Sequence, residues 1–128
     1  MTLLMALITL QARGRIRSTW LPGMAEVARA PYGAFRVRTV DYARNQIDYG
    51  HGYRPAESLD RGPDTSDPCT VGGLMELLRE TMAWLPAHTL PVLGGGWAVA
   101  VPTEGEWRSD TEGEAIAAAL IALAGGAA

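Results

Sequence analysis

The chain has 128 residues, 48% hydrophobic and 20% charged, with a mean hydropathy of +0.02, so it can bury a core and a wholly disordered chain is excluded. The formal charge of −3 hides a partition, because all 11 basic residues are arginine and they are unevenly placed. Residues 1–54 hold eight arginines against three acids (+5), whereas residues 55–128 hold three against eleven (−8).

The apolar run Met1–Leu10 has no positive charge before it and is shorter than the roughly 20 residues of a membrane span, so it reads as neither a signal peptide nor a span. The uncharged stretch Ala115–Ala128 is also too short. A cytoplasmic protein with no membrane association is the expectation. Leu3, Leu4, Leu7, Ile8 and Ala12 fall near helical spacing, which predicts a helix over 2–13. Ile8-Thr9-Leu10 leaves an extended alternative open. Arg13-Gly14-Arg15-Ile16-Arg17 breaks the run, and Pro22-Gly23 marks a turn. The period then changes to two. Glu26–Arg29, Ala34–Val40 and Gln46–Tyr49 are strand candidates, separated by turns at Pro31–Gly33 and Asp41–Asn45. Phe35, Val37 and Thr39 share one face of the second strand, Arg36 and Arg38 the other. Residues 20–53 therefore read as a small antiparallel meander with one wet face.

Residues 54–68 contain three prolines and one glycine and read as a linker. Asp67 suits an N-cap and Pro68 the first helical position. Val71, Leu74, Met75, Leu78, Met82 and Leu85 then form one apolar stripe, stopped by Pro86. Trp97, Val99 and Val101 share one face of a further strand, and Ala98 and Ala100 offer the other to an approaching helix. Trp107-Arg108 begins a partner strand. Ser109 with Glu112 and Thr111 with Glu114 are overlapping capping boxes for a last helix through Ala124, which Gly125 or Gly126 would end.

The run Pro63–Thr81, with its acidic Asp-Pro turn opening a leucine-rich helix, resembles small proteins of bacteriophages and prophages of GC-rich bacteria. The Gly96–Val101 strand and the Glu112–Leu120 helix look like their usual ending. The order of elements is similar to the phage α-β-α sandwich domain. The resemblance spans residues 63–124, about half of the chain, and implies no catalytic residues.

Chemistry-bearing residues are sparse. Cys69, the single cysteine, closes no intrachain disulfide and makes no Cys-based zinc site. It sits in the first turn of a helix, where a thiolate is favoured. With no base nearby in sequence, a buried structural cysteine is the preferred reading. His51 and His88 lack partners at metal-ligand spacing and read as surface or turn residues. Asp60, Asp64 and Asp67 lack the glycine and glutamate of a calcium loop. Gly94-Gly95-Gly96 lacks the Lys-Ser/Thr of a phosphate loop. No serine sits in a Gly-x-Ser-x-Gly elbow. No catalytic set, metal or cofactor is expected.

Two charged groups remain. Arg13, Arg15, Arg17, Arg36 and Arg38 have the chemistry to bind phosphates, with Trp20 and Tyr32 stacking on bases. Alternatively they pair with the acidic half of the same molecule, the preferred reading because the chain is acidic overall. Glu104, Glu106, Asp110, Glu112 and Glu114 form an acidic patch suited to a basic protein surface.

The expected fold is α+β, one compact domain in which a helix and β-meander (1–53) and a Pro-rich linker (54–68) precede an α-β-β-α unit (69–128). The expected function is that of a non-enzymatic phage or prophage accessory protein acting by protein–protein binding, such as an anti-CRISPR-like inhibitor of a host defence complex. The alternatives are a nucleic-acid-binding accessory protein using the Arg-rich half, and a homo-oligomeric assembly protein.

Overall fold

Thr2 starts the first helix: its hydroxyl accepts a hydrogen bond from the Met5 amide at 3.2 Å. In the computed structural model, which describes residues 1–125, helix α1 runs Leu3–Ala12. The helical spacing prevails over the extended alternative. Ala6, Leu7 and Leu10 are buried on one stripe, while Met1, Met5 and Ile8 stay exposed.

A first antiparallel sheet follows, ordered β1 (Thr39–Asp41), β2 (Gln46–Asp48), β3 (Tyr53–Pro55). It is shorter and later than the meander expected over 20–53. Glu26–Arg29 and Ala34–Arg38 contribute isolated bridges, Ala25 to Arg36 and Arg29 to Gly33, rather than ladders. The reason lies in the backbone partners of residues 25–27. The Glu26 amide donates to Phe35 O, whereas the Val27 amide donates to Gly62 O and the Asp64 amide to Ala25 O. Two different segments thus share this short stretch, so neither extends into a full strand. The inward alternation still holds at Val37, which is buried, and Phe35, which is half-buried; Arg36 and Arg38 are exposed, and so is Thr39.

This pairing also revises the linker. Residues 54–68 supply the end of β3, a 3₁₀ turn at Ala56–Ser58, and buried Ala56, Leu59, Gly62 and Pro63. Proline and glycine mark turns in a packed segment here, not a tether between bodies.

Helix α2 (Pro68–Thr81) begins as its sequence dictates, with Asp67 accepting from the Thr70 amide at 3.0 Å and Pro68 at the first position. It ends earlier than the apolar stripe suggests. Met82 is the C-cap, the Ala83 amide bonds Glu80 O, and the Trp84 amide bonds Arg79 O at 2.7 Å. That pair of bonds is a Schellman closure, which requires a left-handed residue after the cap. Ala83 takes that conformation at φ 52°, and Trp84 follows at φ 64°. Leu85 is consequently exposed, and Leu77, off the expected stripe, is fully buried. Ala83 is exposed, so its methyl group carries strain without packing. The Ala83→Gly variant is expected to be more stable by about 0.5–1 kcal/mol. Urea denaturation checks this, and an unchanged or lower midpoint would contradict it.

The second sheet has one strand more than expected: β4 (His88–Pro91), β5 (Trp97–Val101) and β6 (Gly105–Ser109), antiparallel and in that order. The triple glycine makes the β4–β5 turn, all three residues having positive φ. Gly96 also lies so close to β6 that a Cβ there would sit 2.8 Å from Ser109 O. Helix α3 (Glu112–Leu123) starts at Thr111, whose hydroxyl accepts from the Glu114 amide at 3.2 Å; Ser109 belongs to β6 instead. Ala124 caps its end and Gly125 follows at φ +91°; Gly126, the other candidate, lies outside the described residues.

α3 is the hub, touching α1, α2, β5 and β6. Its sequence explains this, since Gly113, Ala115, Ala117 and Ala119 let neighbours approach closely while Ile116 and Leu120 fill the centre. The β5 face that meets the core is Trp97, Val99 and Val101. The alanine face does not receive a helix. Register places Ala98 and Ala100 with His88, Leu90, Glu106 and Arg108 on the other face, while α3 packs on the valine side. One continuous core joins Leu7 and Leu10 of α1, Ile47 of β2, Leu59, α2, β5 and α3.

Candidate functional site

Most of the expected basic surface is engaged within the fold. Arg13 Nη1 donates to Ala124 O at the end of α3 (3.1 Å). Arg15 donates through Nε and Nη2 to Thr81 O at the end of α2 (3.0 and 2.6 Å). Each guanidinium therefore meets the partial negative charge of a helix C-terminus and satisfies a carbonyl the helix leaves open. Arg17 pairs with Glu76 at 3.0 Å and Glu80 at 3.4 Å on α2, and lies 5.2 Å from the Tyr42 ring centre. Arg36 donates to Gly23 O and to both carboxylate oxygens of Asp67 (2.8 and 3.0 Å). Of the five arginines, Arg38 alone makes no side-chain hydrogen bond or ion pair among the described residues.

The Arg36–Asp67 pair has an electrostatic signature. The Arg36 guanidinium, hydrogen-bonded to the Asp67 carboxyl, holds it well below the usual carboxylate range, and the Thr70 hydroxyl and amide add to this against a partial burial cost. Arg36 is raised in turn, first by its hydrogen bond to Asp67 and then by that charge. One carboxylate thus caps α2 and anchors the arginine face.

Trp20 does not stack on bases. It is fully buried, and its Nε1 has no hydrogen-bond partner. An isolated tryptophan among arginines resembles a binding element in sequence, but its ring area is also what a core poor in aromatics needs. Tyr32 remains exposed. Cys69 is exposed rather than buried, because the α2 face it occupies points away from Leu74 and Leu78. His51 and His88 are both exposed, the first in a bend and the second on β4. Among the described residues, no group of three His, Cys, Asp or Glu side chains is placed to hold a metal ion. None of the described helices is long and apolar enough to cross a membrane.

The acidic residues are strung along β6 rather than gathered at one end: Glu104 precedes it beside Val101, and Asp110 follows it beside Trp97. Glu104 lies in the β5–β6 turn, Glu106 on β6, Asp110 in the following bend, and Glu112 and Glu114 in the first turn of α3. Glu112 and Glu114 favour the helix N-terminus. Glu106 pairs with Arg108 at 2.7 Å; the other four make no ion pair among the described residues. Beside them the outer sheet face exposes Leu90, and Leu93 protrudes fully at the β4–β5 turn. Sequence reading passed over both leucines, although an exposed Leu immediately before three glycines is a legible sign of a turn tip.

No known protein family matches this chain, and no curated protein or solved structure matches it either.

Proposed function

We propose that this protein works without catalysis, docking the acidic surface along β6 and the start of α3 on a basic surface of another protein. The observation that carries the reading is an asymmetry of charge use. Arg13, Arg15, Arg17 and Arg36 are bound to helix ends and acids of the same molecule, while Glu104, Asp110, Glu112 and Glu114 make no ion pair among the described residues. Unneutralised negative charge therefore runs along β6 into α3, where it steers a cationic partner. Leu90 and Leu93 beside it supply apolar area for a contact core. In its narrower form the protein is a phage-encoded inhibitor of a host defence complex. The resemblance of residues 63–124 supports that form, as does an acidic surface able to occupy a site that otherwise holds nucleic acid.

The test is surface plasmon resonance of the purified chain against RNA-guided nuclease effector complexes. Wild type is expected to bind one of them. The triple variant Glu104→Lys/Glu106→Lys/Asp110→Lys, shown folded by circular dichroism, is expected to bind at least about tenfold more weakly. Absence of binding to every complex overturns the inhibitor form. Equal binding by the triple variant overturns the acidic surface.

A further inference from the structure

A separate cavity of about 200 Å³ opens between α1 and the Ala56–Asp60 segment. Leu4 and Ile8 of α1 and Leu59 form its apolar walls. Cavities of roughly this size, walled by aliphatic side chains, accept a single aromatic ring. This one is not purely apolar. Thr19 lines it and makes no side-chain hydrogen bond among the described residues, so its hydroxyl is open to a ligand at the cavity wall. Gln11 Nε2 donates to Asn45 Oδ1 at 3.0 Å across the same lining, and Gln11 Oε1 has no donor among the described residues. Both oxygens can accept from a bound polar group.

Charge narrows the ligand further. The lining has two carboxylates, Glu57 and Asp60, and no basic side chain. Asp60 is already paired with Arg29, whereas Glu57 is exposed and makes no ion pair among the described residues. An anion would meet repulsion, and a neutral hydrocarbon would exclude water from Thr19 and Gln11 without replacing its hydrogen bonds.

We propose that this cavity binds a small organic amine whose apolar body is one ring or a short branched chain. The body packs against Leu4, Ile8 and Leu59. The ammonium donates to Glu57 and to the oxygens of Gln11 and Thr19. The site is independent of the acidic surface along β6, and neither proposal depends on the other.

Titration of the full chain with phenethylamine, 2-phenylethanol and phenylacetate, followed by amide chemical-shift mapping and calorimetry, tests it. Phenethylamine is expected to saturate, with shifts confined to α1, Thr19, Asn45 and residues 56–60. It is expected to bind at least about fivefold more tightly than 2-phenylethanol, and phenylacetate more weakly than either. Glu57→Gln, at an exposed position that leaves the fold intact, is expected to remove the preference for amine over alcohol without weakening the alcohol. Failure of all three probes to saturate overturns the proposal. So does a shift pattern outside the cavity, equal binding of phenylacetate, or an undiminished amine preference in Glu57→Gln.

Discussion

The Arg29→Met variant is expected to lose folding stability, because it strands the buried Glu26 charge. Glu26 is completely buried. Its carboxylate accepts from Arg29 Nε and Nη2, both at 3.0 Å, and from the Arg61 amide at 2.9 Å. The same guanidinium also bonds Asp60. Arg29 thus ties the 25–27 stretch to the Pro-rich segment, and the Glu26 charge has no other cation. Methionine retains much of the aliphatic stem, so packing is largely preserved and the loss isolates the charge. The double variant Arg29→Met/Glu26→Gln is expected to recover more than half of that loss, since glutamine still accepts from the Arg61 amide and the one carboxylate left without Arg29, that of Asp60, is exposed to water. Urea unfolding of both variants measures this. If the double variant is no more stable than Arg29→Met, the loss comes from packing and the charge argument fails.

Gly113→Ala is expected to cost about 3 kcal/mol and to lower Tm by roughly 10 °C, despite alanine's better helix propensity. A Cβ at this position would lie well inside contact distance of Thr65 O and 2.9 Å from Thr65 C. Both atoms are backbone, so no rotamer change relieves the overlap and α3 would have to separate from the 54–68 segment. Calorimetry of the variant checks this. Unchanged or higher Tm would mean that the two segments part without cost.

These two positions show why some features were legible and others were not. Asp67-Pro68 and Thr111 start helices through bonds within three residues, and local sequence specifies them. The α+β class and the helical nature of Leu3–Ala12 follow from periodicity in the same way. β4 escaped notice because His88-Thr89-Leu90-Pro91 is short and ends in proline, so only its pairing with β5 makes it a strand. The exposure of Trp20, Cys69 and the 54–68 segment is not legible in sequence for one shared reason, that burial depends on distant residues. The arginines were counted correctly, but composition does not reveal that Thr81 and Ala124 carbonyls are their partners. The acidic residues are close in sequence, but β6 separates Glu104 at its start from Asp110 after its end, a spread that only the strand's register shows.

The contacts of the Arg13–Arg17 loop have a kinetic consequence. Arg15 reaches Thr81 across 66 positions, and Arg13 reaches Ala124 across 111. Contacts of such separation form only after a large loop entropy has been overcome. These two bonds therefore form only when both halves of the chain have come together. They tie the end of each helix to the first segment of the chain rather than to its sequence neighbours.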